Sequence, residues 1–162
     1  MENLASVEIL LIEDDRMDVE LTIHALRQEN FGNRIVVAKD GEEALSILKH
    51  CKTELMDATW LPKLILLDLN LPKINGIEVL RYAKSDPILR MIPVVVMTSS
   101  KQDEDMVASY SLGVNSYLQK PVDFEQFRKM AKELGMYWIV ANRVPSPSAV
   151  RERARSAEQP AT

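Results

Sequence analysis

Apolar positions fall in two alternating rhythms along this chain. Ile9-Leu10-Leu11-Ile12, Leu64-Ile65-Leu66-Leu67 and Val94-Val95-Val96-Met97 are unbroken apolar runs, and Ile35-Val36-Val37 and Tyr117-Leu118 are shorter ones. A strand with no polar alternation is one buried on both faces, as in a parallel sheet covered by helices on either side. The runs predict strands over Val7–Glu13, Ile35–Lys39, Leu64–Asp68, Ile92–Thr98 and Ser116–Gln119. Between them the spacing lengthens to the helical period. Val19, Ile23 and Leu26 share one stripe against Arg16, Glu20 and Arg27; Ala44, Leu45 and Leu48 form a second stripe, and Ile77, Leu80 and Ala83 a third. Met106, Val107 and Tyr110 mark a fourth helix, and Phe127, Met130, Ala131, Leu134 and Trp138 a fifth. Asp40-Gly41, Asn75-Gly76 and Gly113 sit where turns are needed, while Pro72, Pro87 and Pro93 stop neighbouring elements. Thr53 to Pro62 reads as a long loop before the third strand, with room for a helical extension. The expected fold is α/β, a flavodoxin-like doubly wound sheet of five parallel strands in the order 2-1-3-4-5, with five helices.

Composition narrows the function classes. With 162 residues, 46% of them apolar, the chain suits one domain with a full core. Its net charge of −4, with acids and bases interspersed, offers no basic stripe to neutralise nucleic-acid phosphates, so direct DNA or RNA binding is not expected. The apolar runs are too short to cross a bilayer and Met1 to Ser6 lack the features of a secretion signal, so a cytoplasmic location is expected. Cys51 stands alone and excludes an intrachain disulfide.

The chemistry lies at the strand ends. Asp68 closes a run too apolar to be anything but a buried strand; Glu13, Asp14 and Asp15 follow the first strand, Thr98, Ser99 and Ser100 the fourth, and Lys120-Pro121 the fifth. In the order 2-1-3-4-5, strands one and three are neighbours at the topological switch point, so Asp14 and Asp68 share a crevice. Carboxylates packed that closely repel one another unless a cation joins them. Mg²⁺ suits the inventory, because it takes hard oxygen ligands and commonly links one or two carboxylates to a phosphate. An aspartyl-nucleophile phosphatase of the haloacid dehalogenase type places its nucleophile after the first strand, whereas Asp68 ends the third. An FMN carrier needs amides and hydroxyls after strand one, where this chain is acidic.

Glu13-Asp14, Asp68, Thr98 and Lys120-Pro121, with Tyr117 three residues before the lysine, resemble the receiver domain of two-component response regulators. The resemblance spans roughly Val7 to Leu134. The phrases Leu66-Leu67-Asp68-Leu69-Asn70-Leu71-Pro72, Lys84-Ser85-Asp86-Pro87 and Ile92-Pro93-Val94-Val95-Val96-Met97-Thr98 are most similar to single-domain regulators paired with phytochrome-type sensor kinases, including those of bacteriophytochromes. It implies a signalling protein rather than an enzyme acting on another substrate. Asp68 then accepts a phosphoryl group from a phosphohistidine of a sensor histidine kinase. Asp14, Asp68 and the Asn70 carbonyl ligate Mg²⁺, and Glu13 acts mainly through bound water. Lys120 and Thr98 meet the phosphoryl oxygens, Pro121 follows a cis peptide, and Thr98 and Tyr117 move together as a switch. That switch is expected to act on the face of the fourth helix, fifth strand and fifth helix. Asn70 and Ser100 are expected at the rim, flanking the attacking water. Two registers stay open after strand one: Glu13-Asp14, which keeps the strand as long as in relatives, or Asp14-Asp15.

The end of the chain follows a different rhythm. Tyr137, Trp138, Ile139 and Val140 are consecutive, so on a helix they point in all directions and cannot all reach one core. Val144-Pro145-Ser146-Pro147 then interrupts the helix, and Ala149 to Ala157, carrying Arg151, Arg153 and Arg155, reads as a basic tail or short helix. The expected division is a receiver domain over 1–142 and a C-terminal tail or dimerisation arm over 143–162. A homodimer in which the arm crosses a two-fold axis is the corresponding expectation.

Overall fold

The computed structural model describes residues 8–29, 34–57 and 61–158, with the backbone alone at 53–57. Five parallel strands, β1 (Ile9–Ile12), β2 (Ile35–Ala38), β3 (Leu64–Leu67), β4 (Val94–Thr98) and β5 (Ser116–Gln119), form one sheet in the order β2-β1-β3-β4-β5. Around it lie α1 (Arg16–Gln28), α2 (Gly41–Asp57), α3 (Gly76–Ser85), α4 (Asp103–Ser111) and α5 (Phe124–Gly135). The expected sheet and its five helices are thus present, and a sixth helix, α6 (Pro147–Glu158), adds to them. Val7, expected to open the first strand, lies outside the described residues. The expected loop from Thr53 is shorter than foreseen: α2 runs on to Asp57, and residues 58–60 lie outside the description.

Successive residues of each central strand supply opposite faces of the sheet. Leu10, Ile12, Ile65, Leu67, Val94 and Val96 pack with Ala44, Leu48 and Cys51 of α2 and Val79, Leu80 and Ala83 of α3. Ile9, Leu11, Leu64, Leu66 and Val95 pack on the other side with Ala25 and Leu26 of α1 and Ala131 and Leu134 of α5. Cys51 is fully buried, and burial pushes its thiol up to about 12, so it behaves as an apolar side chain. Truncating a central side chain such as Leu66 to alanine costs about 2–5 kcal/mol, because both faces of its strand are filled.

Register brings the polar strand ends together. Ile12 is level with Leu67 and Ala38, and Thr98 is level with Gln119. The ladder continues one bond further: Asp68 N donates to Ile12 O at 2.9 Å, Glu13 N to Ala38 O at 3.0 Å and Lys120 N to Thr98 O at 2.8 Å. The loops at this edge enter their helices through side-chain caps. Asp15 Oδ1 accepts from Asp18 N, Asp40 Oδ1 from Glu43 N, Asn75 Oδ1 from Glu78 N and Asp123 Oδ1 from Gln126 N. Each cap satisfies an orphan amide and is worth about 1 kcal/mol. Gly76 is required by close approach: a Cβ there would lie 2.4 Å from the Asp68 carbonyl oxygen and 2.5 Å from Leu69 Cα, so the loop after β3 folds back on itself only with glycine.

Three regions depart from the apolar pattern. In α4 the expected inward stripe is outside: Met106, Val107 and Tyr110 are exposed, and the side facing the protein carries Asp105, Ser109 and Leu112. Those positions have helical spacing but two are polar, and Ser109 is satisfied locally by donating to Asp105 O at 2.7 Å. Beyond α5 the chain widens into a π-helical turn, Met136–Ala141. Trp138 and Ile139 reach the α1/α5 core, while Met136, Tyr137 and Val140 stay exposed. Finally, α6 packs back on its own chain, with Val150 fully buried against Ile88 and flanked by Leu61, Met91 and Ala154. The expected arm is therefore a helix whose apolar side already has an intrachain seat; residues 159–162 lie outside the description.

Candidate functional site

The aligned ends of β1, β3 and β5 deliver two acids and a base to one point. Lys120 Nζ donates to Glu13 Oε2 at 2.5 Å, to Asp68 Oδ2 at 3.0 Å and to Asp18 Oδ2 at 2.8 Å. All three ammonium hydrogens thus have carboxylate acceptors. Glu13 and Asp68 are almost fully buried, at 2% and 5% exposure, and the side chain of Asp18 is about one-third exposed. Asp14, exposed, joins Glu13 and Asp68: one oxygen of each lies within 4.8 Å of the others. Such a set of hard oxygen donors, two of them buried, fits a divalent cation that bridges carboxylates.

Asp15 is used differently. Its side chain caps α1 and its backbone N donates to Glu13 Oε1 at 3.1 Å. Of the two registers left open by the sequence, the structure gathers Glu13-Asp14 with Asp68 and leaves Asp15 on the helix. Asp18 is the residue that the sequence reading missed. Its signal was faint but present: it is an acid in the first turn of the helix that leaves this edge of the sheet.

Burial dominates the ionisation of Glu13, pushing its carboxyl up to about 7; the Lys120 hydrogen bond opposes this and the nearby Asp68 charge adds to it. For Lys120, burial alone favours the neutral amine, but the hydrogen bonds to Asp18 and Glu13 and the Asp68 charge outweigh it and hold the ammonium well above its ordinary value. Three acids around one base leave the cluster net negative, which is the condition that a bound cation relieves.

The β4 end forms the other wall. Thr98 is fully buried and its Oγ1 accepts from Ser100 N at 3.2 Å; Ser100 Oγ donates to Asp105 Oδ2 at 2.5 Å. Asn70 N donates to Asp68 Oδ1 at 3.1 Å. Asn70 and Ser100 both line a cleft of about 410 Å³ with Asn75, Ser99, Lys101, Gln102 and Asp105. Tyr117 packs its ring against the α2/α3 core, and its hydroxyl is buried with no hydrogen-bond partner among the described residues. Burial raises its pKa; the Ser100 hydroxyl beside it opposes that rise but gives its own hydrogen to Asp105. The expected cis peptide before Pro121 is corrected: no described peptide bond is cis. Trans is the lower-energy form of X–Pro by about 0.5–1 kcal/mol. Lys120 is held by its backbone bond to Thr98 and its three carboxylates.

Residues 9–132 match the family model for the response regulator receiver domain. The chain belongs to the response regulator receiver family. This receiver is 41% identical over 140 residues to the probable methanogenesis regulatory protein FilR2 of Methanothrix harundinacea, covering 86% of this chain and 88% of that protein. It is 38% identical over 138 residues to the response regulator Rcp1 of Synechocystis, covering 85% of this chain and 92% of that one. Among solved structures, the phosphorylated cyanobacterial phytochrome response regulator RcpA superposes with a TM-score of 0.78 at 38% identity, covering 88% of the receiver and 100% of RcpA. The Mn²⁺-bound form of Rcp1 gives 0.77 at 37% identity, covering 86% and 99%. The bacteriophytochrome response regulator AtBRR is 45% identical with a TM-score of 0.63, covering 85% and 98%. The receiver is therefore a two-component signalling protein similar to phytochrome response regulators, with an acidic site that fits a divalent metal. Among the described residues, no helix is long and apolar enough to cross a membrane.

Proposed function

We propose that this receiver is a phosphoryl-accepting switch in which Asp68 takes the phosphoryl group of a phosphohistidine on a cytoplasmic sensor histidine kinase of phytochrome type. One observation carries the reading: the Lys120 ammonium meets the buried Asp68 and Glu13 carboxylates at the shared edge of β1, β3 and β5. An Asp68 oxygen forms the new O–P bond as the donor N–P bond breaks, and the released imidazole nitrogen keeps its electron pair and takes up a proton. Asp14, Asp68 and the Asn70 carbonyl, with Glu13 mainly through bound water, would hold Mg²⁺, which would supply neutralisation of the phosphoryl oxygens. Lys120 pairs with those oxygens, and Thr98 donates its hydroxyl hydrogen to one of them.

The switch follows from charge. Phosphorylation adds about 1.5–2 negative charges. Thr98 Oγ1 accepts from the Ser100 amide and keeps its own hydrogen to donate to them, and Tyr117, whose hydroxyl has no partner among the described residues, turns with it. The output face comprises α4, β5 and α5. Its exposed Met106, Val107 and Tyr110, with Met136, Tyr137 and Val140 beyond, suit a second copy or a downstream protein rather than nucleic acid. The receiver works as a homodimer through this apolar belt.

Incubation with Mg²⁺ and phosphoramidate should raise the intact mass by one phosphoryl group, and chelation or Asp68→Asn should abolish the gain. A gain that persists in Asp68→Asn refutes the assignment. Transfer from a phosphorylated phytochrome-type kinase to this receiver, compared with an unrelated kinase, tests the partner.

A further inference from the structure

Lys120 holds three carboxylates, and only one of them lies outside the cation cluster. Glu13 and Asp68 belong to the group whose oxygens converge for a metal, whereas Asp18 does not. The proposed reaction engages the first two: Asp68 would become an acyl phosphate, and Glu13 would be shared with the cation cluster. Asp18 alone keeps an unencumbered oxygen on the ammonium, at 2.8 Å. Its backbone is held on both sides, back to Asp15 and forward to Thr22. Asp18 N donates to the Asp15 cap, and Asp18 O accepts from Thr22 Oγ1 at 2.7 Å.

We propose that Asp18 is a positioning residue for Lys120: it anchors the ammonium from the α1 side, so that Lys120 stays aimed at the phosphoryl oxygens when Asp68 and Glu13 are engaged elsewhere. The inference rests on the phosphoryl-accepting reading above. Geometry sets it apart from a mere charge effect, and so does the sign of its consequence. A carboxylate that acted only through its field would repel an anionic donor, so neutralising it would speed phosphoryl uptake. An anchor, once removed, slows it.

The test follows phosphoryl uptake from phosphoramidate in saturating Mg²⁺ by intact mass, for wild type, Asp18→Asn, Asp18→Glu, Lys120→Met and the Asp18→Asn/Lys120→Met double variant. Asp18→Asn should lower the maximal rate by about three- to tenfold with the half-saturating donor concentration unchanged, as for an interaction made in the transition state. Asp18→Glu, which returns a carboxylate to the same turn, should recover most of the rate. In the Lys120→Met background, Asp18→Asn should change the rate by less than about twofold, because residues acting through one group are not additive. Both Asp18→Asn backbone bonds survive, and an unchanged melting temperature verifies the fold; Asp18→Ser serves as the replacement if it falls. An Asp18→Asn rate equal to or above wild type, or additive losses in the double variant, overturns the anchor role alone. A wild type that takes up no phosphoryl group overturns the underlying reading as well.

Discussion

Glu13 ties stability, pH and cation binding into one measurable quantity. Burial pushes its carboxyl from the ordinary 4.5 up to about 7, a change worth on the order of 3 kcal/mol between its protonation states. The unfolded chain releases this proton near pH 4.5 and the folded protein keeps it until about pH 7. Folding therefore takes up a proton inside that window, and stability falls as pH rises through it. For a chain of 162 residues this is a loss of roughly 5–10 °C in melting temperature without metal. A divalent cation reverses the penalty, since it binds the ionised cluster. At a hundred times its dissociation constant it adds about 2.7 kcal/mol. At pH 5.5 the cation must first displace the Glu13 proton, which weakens its apparent affinity by about thirtyfold relative to pH 8. Thermal melts of wild type and Glu13→Gln, with and without Mg²⁺, at pH 5.5 and 8 measure all of this. Wild type minus Glu13→Gln isolates the Glu13 contribution from those of Asp14 and Asp68. Parallel pH profiles for the two proteins, or an equal Mg²⁺ gain at both pH values in wild type, would refute the reasoning.

Other consequences follow from particular contacts. Gly76→Ala should destabilise the protein by about 1–3 kcal/mol in urea melts and slow phosphoryl uptake, because its Cβ can be accommodated only by moving the Asp68 and Leu69 backbone; full stability would contradict the close approach. Ser100→Arg should change the dephosphorylation rate by about tenfold while leaving Mg²⁺ affinity within twofold, since Ser100 lines the cleft beside the site but is outside the acidic cluster; an unchanged lifetime would count against the cleft as the path of water. Val150→Asp should release α6, costing about 1.5–3 kcal/mol and opening the chain after Asn142 to limited proteolysis, with the receiver fold retained. Truncation after Asn142 uncovers Ile88 and its neighbours but keeps Met106, Tyr110, Tyr137 and Val140, so sedimentation should show added aggregation with the dimer and Asp68 chemistry retained; a full-length protein that is monomeric at micromolar concentration refutes the homodimer.

What was legible in the chain alone was whatever depends on burial along a strand. A central parallel strand has to be apolar at every position, so Ile9–Ile12, Leu64–Leu67 and Val94–Thr98 announce themselves, and a charge or hydroxyl at such an end stands out against them. Strand order then brings Glu13, Asp68 and Lys120 together, because connection rules leave few ways to wind five such strands. The tertiary structure decided matters set by direction around a helix or loop. Asp15 and Asp18 are both acids in one helical turn, yet one caps the helix and the other reaches Lys120, and only the orientation of α1 separates them. In α4, the inward side carries Asp105, bonded to Ser100, and the small Ser109, with Leu112 at the end of the helix, while Met106, Val107 and Tyr110 are left for the surface. The seat of α6 depends on a patch made by Leu61, Ile88 and Met91, residues distant in sequence from Val150. Periodicity reports which residues share a face; the partner that face meets is set by packing between elements, which no local pattern encodes.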